Sequence, residues 1–182
     1  MPKLYLVRHG EASGTWADSL DPGLSELGKA QAKEVAARFA DQEPLQLVSS
    51  PLLRCQETSR PLADAWSGEA TIEKAVAEVI APEQELDQRI AWLRDFMPGK
   101  WGDQDGFQQS WRANVVRALT DLPQDTVIFT HFVAINAAVG AATGDDRIVN
   151  FRPDNCSVTV MESIADELRL IERGREAETK VN

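Results

Sequence analysis

Apolar and polar positions along the chain fall into short blocks of two kinds. Compact apolar runs at Leu4 to Val7, Leu45 to Val48 and Thr126 to Phe129 predict buried strands, and Ser157 to Met161 with Glu167 to Ile171 reads as a late strand pair. Between them the apolar residues recur every three or four positions. Ala32, Val35, Ala36 and Phe39 form one stripe behind Ser25 as N-cap; Leu86, Ile90, Leu93 and Met97 form a second after Pro82. A third, Phe107, Trp111, Val115, Ala118 and Leu122, follows the loop "PGKWGDQDG". Thr71 to Val79 fits neither period well and is assigned to a strand. Strands alternating with helices predict an α/β fold with helices on both faces of the sheet.

No internal repeat interrupts this pattern, and 182 residues suit one domain spanning residues 1–182. The charged tail "RGREAETKVN", from about residue 174, carries no apolar stripe and is expected to fray. A formal charge of −10 argues against nucleic acid and anionic membranes as partners, because both need a basic face. The longest nearly apolar run, Phe132 to Thr143, is short of the roughly 20 residues a bilayer span requires. The strand pattern begins by Leu4, leaving no room for a signal sequence within this chain. Cys55 and Cys156 lie far apart and match no metal-ligand spacing, so they read as buried thiols of a reduced, cytoplasmic protein.

Candidate chemistry sits where three strands end. Ligands of open α/β sheets bind beyond the carboxyl ends of the strands. Arg8 and His9 follow the first apolar run. Ser50, Pro51 and Arg54 follow the second, with Ser50 predicted to cap a helix whose free N–H groups favour an anion. His131 follows the third, and the chain has only two histidines. If these strands are neighbours, Arg8, His9, Arg54 and His131 converge on one pocket. Planar guanidinium forks match phosphate, and imidazole is the side chain that offers an unprotonated nucleophile near neutrality.

The same motifs resemble the histidine phosphatase superfamily, also called the phosphoglycerate mutase-like family, over roughly residues 3 to 162. "LVRHGEA", "LSELGKAQA", "SSPLLRCQET", "FTHF" and "DNCSVTVME" stand in that family's order. The resemblance implies a three-layer α/β/α sandwich around a mostly parallel sheet and a phosphatase that needs neither metal nor other cofactor. His9 would be the nucleophile, forming a phosphohistidine, and Arg8, Arg54 and His131 would grip the phosphoryl group. Glu78 falls where many members carry the acid that protonates the leaving oxygen, with Glu73 and Glu83 as neighbouring alternatives. The substrate would be a phosphorylated small molecule or a phosphoprotein.

Two departures bear on specificity. Phe132 follows His131 where the family usually has glycine, which makes it a candidate substrate contact. The mutase branch commonly has an asparagine shortly after its arginine-histidine-glycine, whereas this chain reads Glu11, Ala12, Ser13, Gly14, Thr15, leaving Ser13 and Thr15 as candidate phosphate contacts. A phosphoglycerate mutase and a non-catalytic phospho-ligand-binding module are the alternative functions. Specificity is expected in the loops Glu11 to Gly23 and Ala81 to Gln88 and around Trp101.

Overall fold

The computed structural model describes residues 1–14, 21–80 and 86–177. Its centre is a six-stranded sheet, taken in chain order as β1 (Lys3–Arg8), β2 (Gln46–Ser49), β3 (Thr71–Ile72), β4 (Thr126–Thr130), β5 (Val158–Ile164) and β6 (Glu167–Glu172). The spatial order is β3-β2-β4-β1-β5-β6. The four strands from β3 to β1 run parallel, and the β5–β6 hairpin closes one edge antiparallel. Among the described residues the helices are α1 (Glu26–Ala37), α2 (Leu53–Ala65), α3 (Leu86–Phe96), α4 (Gly106–Thr120) and α5 (Phe132–Thr143).

Side chains two apart on a strand share a face, and the burial follows that rule. Leu4, Leu6, Val48 and Ile128 pack with Val115 and Leu119 of α4 and with Ile135, Ala138 and Val139 of α5. Val7, Leu47, Val127 and Phe129 face the other way, onto Val35 and Ala36 of α1 and Cys55, Leu62 and Ala63 of α2. Every residue of β4 is buried, as expected of a central parallel strand covered on both sides. A third cluster, with Phe96, Trp101, Val133, Ala137 and Ile148, seats α3 against α5. The layers are those expected.

Several local assignments change. From Thr71 to Val79 only two residues are strand; a 3-10 turn over Lys74–Val76 follows, because the Glu73 carboxylate accepts the Ala75 N–H and diverts the backbone from the ladder. Phe107 and Ile90, placed on apolar stripes, are exposed, while Leu119 and Phe96 take the core positions; the Leu86 side chain lies outside the described set. Residues 174–177 of the tail are described, and two of them are paired. Asp154 N–H bonds Arg175 O, Ala177 N–H bonds Arg152 O, and the Arg175 guanidinium reaches Asp154 at 2.8 Å, so backbone pairing holds a segment that lacks an apolar stripe. Residues 178–182 lie outside the described residues.

One packing constraint reaches from a helix to the end of β1. Ser25 caps α1 as predicted, accepting the Gly28 N–H at 3.0 Å. A Cβ on Gly28 would stand 2.1 Å from the Glu11 carbonyl oxygen, and one on Gly10 would stand 2.6 Å from the Gly28 carbonyl oxygen. Alanine in place of a helical glycine ordinarily gains about 1 kcal/mol, but overpacking against backbone costs about 1–3 kcal/mol. Gly28→Ala is therefore expected to lower the unfolding free energy in denaturant titration. Gly68→Ala, whose Cβ meets nothing nearer than 3.9 Å, serves as the neutral control.

Candidate functional site

The parallel register brings three strand exits side by side. Arg8 pairs with Thr130 and Ser49 with Phe129, and the ladder continues one residue further, with His9 N–H to Thr130 O and Ser50 N–H to Phe129 O, both 3.0 Å. Arg8 and His9 thus leave β1, Ser50 leaves β2 and His131 leaves β4 at one level. Helix α5 starts at that level with His131 as its N-cap residue. Helix α2 starts at Leu53, with Leu52 as N-cap, so Ser50 is not the cap that the sequence predicts. Its hydroxyl oxygen instead accepts the Leu52 N–H at 3.2 Å, and Arg54 stands in the first turn of α2.

Arg54 ties the cluster together. Its Nε donates to His9 Nε2 at 3.2 Å, and a terminal nitrogen lies 3.2 Å from His131 Nδ1. The two imidazole centroids are 5.2 Å apart. His9 Nδ1 is 2.7 Å from the Gly10 carbonyl oxygen, which can only accept, so Nδ1 carries the proton and Nε2 the lone pair. Arg54, which can only donate, requires the same tautomer from the other side. The backbone around His9 is also held: the Gly10 N–H donates to Thr58 Oγ1 at 3.0 Å, and Asn155 Nδ2 donates to the His9 carbonyl at 2.9 Å.

Arg8 donates to the Pro153 carbonyl at 2.9 Å and lies 5.3 Å over the Phe132 ring, while its Nε is buried with no hydrogen-bond partner. Glu78 is 6% exposed. Its carboxylate accepts the Val133 N–H of α5 and the Val79 N–H, each at 3.1 Å. Glu73 is occupied as the cap of the 3-10 turn, and Glu83 lies outside the described residues. The Ser13 side chain is exposed, and its N–H bonds the Gly23 carbonyl at 2.8 Å. Thr15 lies outside the described residues, as do 16–20 and 81–85 of the two loops expected to carry specificity. Among the described residues no three His, Cys, Asp or Glu side chains are grouped to hold a metal ion.

Sequence reading missed three participants. Ser50 Oγ lies 2.8 Å and Cys55 Sγ 3.3 Å from His131 Nε2, and Asn155 braces His9 from the loop before β5. Ser50 was noticed only as a cap, and a lone buried cysteine or a loop asparagine gives no signal in sequence.

Burial and neighbouring cations govern the protonation states. Burial, then the adjacent Arg54, pushes His9 down to about 3. Burial, then His9 and the two arginines, pushes His131 well below the ordinary imidazole range. Burial raises Glu78, outweighing the two N–H donors and the arginines that act the other way. Burial also raises the Cys55 thiol, so it stays protonated. The resting cluster therefore holds two neutral imidazoles, each with a lone pair facing Arg54, beside two guanidiniums.

Guanidiniums and imidazoles are gathered at the carboxyl ends of parallel strands, a donor set whose geometry matches an oxyanion. The chain belongs to the histidine phosphatase superfamily (branch 1), whose model matches residues 4–174. It is 29% identical to phosphoserine phosphatase 1 of Hydrogenobacter thermophilus, with 88% of this chain and 86% of that protein covered. A protein of an Enterobacter species named "Probable phosphoglycerate mutase GpmB" is 28% identical, with 87% and 84% covered. Among solved structures, YhfR of Bacillus stearothermophilus superposes with a TM-score of 0.79 over 97% of this chain and 98% of that one, at 18% identity. That likeness shows the fold.

The buried neutral histidines make stability depend on pH. An unfolded imidazole titrates near 6.5 while folded His9 resists protonation to about 3. The stabilisation is thus complete above about 6.5 and is lost as pH falls below it, at up to about 1.4 kcal/mol per pH unit for each histidine. Glu78, raised by burial, opposes this trend. Denaturant unfolding between pH 7 and 5 should show falling stability, with a shallower slope in His9→Asn; equal slopes would show that His9 is not held neutral.

Proposed function

We propose that this protein is a metal-independent phosphatase that hydrolyses a phosphate monoester through a phosphohistidine on His9. The observation that carries the reading is the Arg54 fork, which donates to His9 Nε2 and reaches His131 Nδ1 within one buried cluster. A phosphoryl group seated there would take the Arg54 donors and the partnerless Nε–H of Arg8. Spread over its equatorial oxygens, these donors offset the charge that otherwise repels a nucleophile.

In this reading His9 Nε2 attacks phosphorus in line with the leaving oxygen. The P–N bond forms, the P–O bond to the alcohol breaks, and Nδ1 keeps its proton, whose hydrogen bond to the Gly10 carbonyl stabilises the ring as positive charge develops. Glu78, whose carboxyl burial pushes above the usual range, gives its proton to the departing alkoxide, and its carboxylate then activates the water that cleaves the phosphohistidine. Phe132, whose ring lies beside the Arg8 guanidinium, is read as a substrate contact, and Ser13 and Thr15, the latter outside the described residues, as phosphate contacts. The substrate is a phosphorylated small molecule: the relatives are named for phosphoserine and for glucosyl-3-phosphoglycerate. We read residues 1–182 as a single domain of this family. We also read the protein as cytoplasmic, since Cys55 and Cys156 are both buried and unpaired and no described helix is long and apolar enough to cross a membrane.

A mutase reading has several relatives in its favour, among them five named "Probable phosphoglycerate mutase GpmB". It requires the phosphoenzyme to hand its group to a second acceptor rather than to water. Free phosphate without positional isomer is the expected product from a phosphoglycerate.

His9→Ala should abolish hydrolysis of an aryl phosphate and the acid-labile phosphoryl adduct while leaving the circular dichroism spectrum unchanged. Arg54→Ala should lower kcat by roughly 10²-fold or more, as loss of a transition-state donor does. Glu78→Gln should slow alkyl phosphates far more than 4-nitrophenyl phosphate, whose leaving group needs no proton. Equal effects on both esters would remove Glu78 as the acid.

A further inference from the structure

We infer that Ser50 is a positioning residue for His131, accepting its Nε2–H so that the pocket takes up a phosphate dianion together with one proton, which binds His131 Nδ1. The inference rests on the phosphate-site reading above, and it concerns an atom that reading leaves unassigned.

The tautomers follow from hydrogen-bond donors and acceptors alone. Guanidinium has no acceptor, so the His131 Nδ1 that faces Arg54 at 3.2 Å presents a lone pair. The ring proton is then on Nε2, and its partner at 2.8 Å is Ser50 Oγ. The Leu52 N–H pins that oxygen from another side at 3.2 Å. Cys55 Sγ, 3.3 Å from the same Nε2, is a weaker neighbour whose own proton points to the Thr130 carbonyl at 3.5 Å. The two histidines therefore rest in opposite tautomers: His9 with Nδ1–H toward Gly10, His131 with Nε2–H toward Ser50.

That opposition has a chemical consequence. His9 already has the tautomer that attack needs, once Arg54 releases its Nε2. His131 cannot help to hold a phosphoryl group as it stands, because a lone pair on Nδ1 would face oxygens that only accept. Once Arg54 turns from the imidazoles to the anion, repulsion between Nδ1 and the phosphoryl oxygen is relieved by a proton between them. With a dianion that proton comes from a buffer acid in solvent, the new N–H bond uses the Nδ1 lone pair, and no bond of the phosphate breaks. Arg8 and His9 at the end of β1, Arg54 and Cys55 on α2, and Glu78 at the first turn of α5 are the titratable groups packed around this ring. In the resting cluster the arginines and burial keep it neutral; a bound dianion reverses the local field.

The test is calorimetric titration of the full chain with inorganic phosphate at pH about 8, where phosphate is a dianion, in two buffers of different ionisation enthalpy. About one proton should be taken up per phosphate bound. In Ser50→Ala the Nε2 proton loses its acceptor, the doubly protonated ring loses the partner that stabilises it, and uptake should fall toward zero; Ser50→Thr should restore it. Ring 15N spectra of the wild type should show His131 as the Nε2–H tautomer before phosphate and doubly protonated after. Glu78→Gln should leave the proton count unchanged.

Binding with no proton uptake, a resting Nδ1–H tautomer, equal uptake in Ser50→Ala, or loss of uptake in Glu78→Gln would each overturn the inference while leaving the phosphate site in place. Failure to bind phosphate at all would instead remove the site. If Ser50→Ala does not fold, the wild-type tautomer and proton count decide the matter.

Discussion

The Arg54 guanidinium, shared between two buried imidazoles, is the contact on which the rest of the site depends. A guanidinium among apolar walls is costly unless its donors are used, and here two of them meet the Nε2 of His9 and the Nδ1 of His131. Each imidazole must present a lone pair to it, and each is therefore held by an acceptor on its far side, Gly10 O for one and Ser50 Oγ for the other. Thr58 Oγ1 donates to the Arg54 carbonyl at 2.6 Å and accepts the Gly10 N–H, so the first turn of α2 and the exit of β1 move as one body. A 1 Å slip between them would break both ends of the arrangement.

This local order runs against the molecule's overall charge. The chain carries ten more acidic than basic residues, 29 against 19, yet Arg8 and Arg54 stand close enough for each to be felt by the same buried groups. Like charges brought together out of water destabilise the fold, and the nearby Asp154 carboxylate offsets this only in part for Arg8, which burial still pushes below its ordinary value. An anion bound between the two guanidiniums would relieve that repulsion. The same surplus of negative charge outside the pocket disfavours approach of an anionic substrate from a distance, so binding must rest on short-range donors rather than on steering.

Much of this was legible in sequence because strand exits are local features. An apolar run ending in Arg8-His9 or in His131 announces both the strand and the side chain delivered beyond it, and adjacency of the exits follows once the order β2-β4-β1 brings them together. What escaped the sequence depends on contacts between distant segments. Cys55 points into the site only because α2 begins at Leu53 rather than at Pro51, and Ser50 becomes a partner of His131 instead of a helix cap for the same reason. The stretch from Thr71 to Val79 reads as a strand by residue type, but the Glu73 side chain and the Thr130 hydroxyl, which donates to the Val76 carbonyl at 2.6 Å, bend it into a turn. The tail likewise pairs through its backbone, which hydropathy does not register.

That bend bears directly on the chemistry. By ending β3 after two residues and turning the chain through Lys74–Val76, it sets Glu78 against the start of α5 instead of along the sheet edge. There the carboxyl group meets opposing influences. The Val133 and Val79 N–H groups and the partial charge of a helix N-terminus favour the ionised form, while burial favours the protonated one, and burial prevails. A general acid needs this balance: enough desolvation to hold a proton near neutrality, and enough hydrogen bonding to receive the charge once the proton leaves. A carboxyl group on an exposed strand edge would not be desolvated in this way, so the environment that raises Glu78 depends on the turn before it as much as on the glutamate itself.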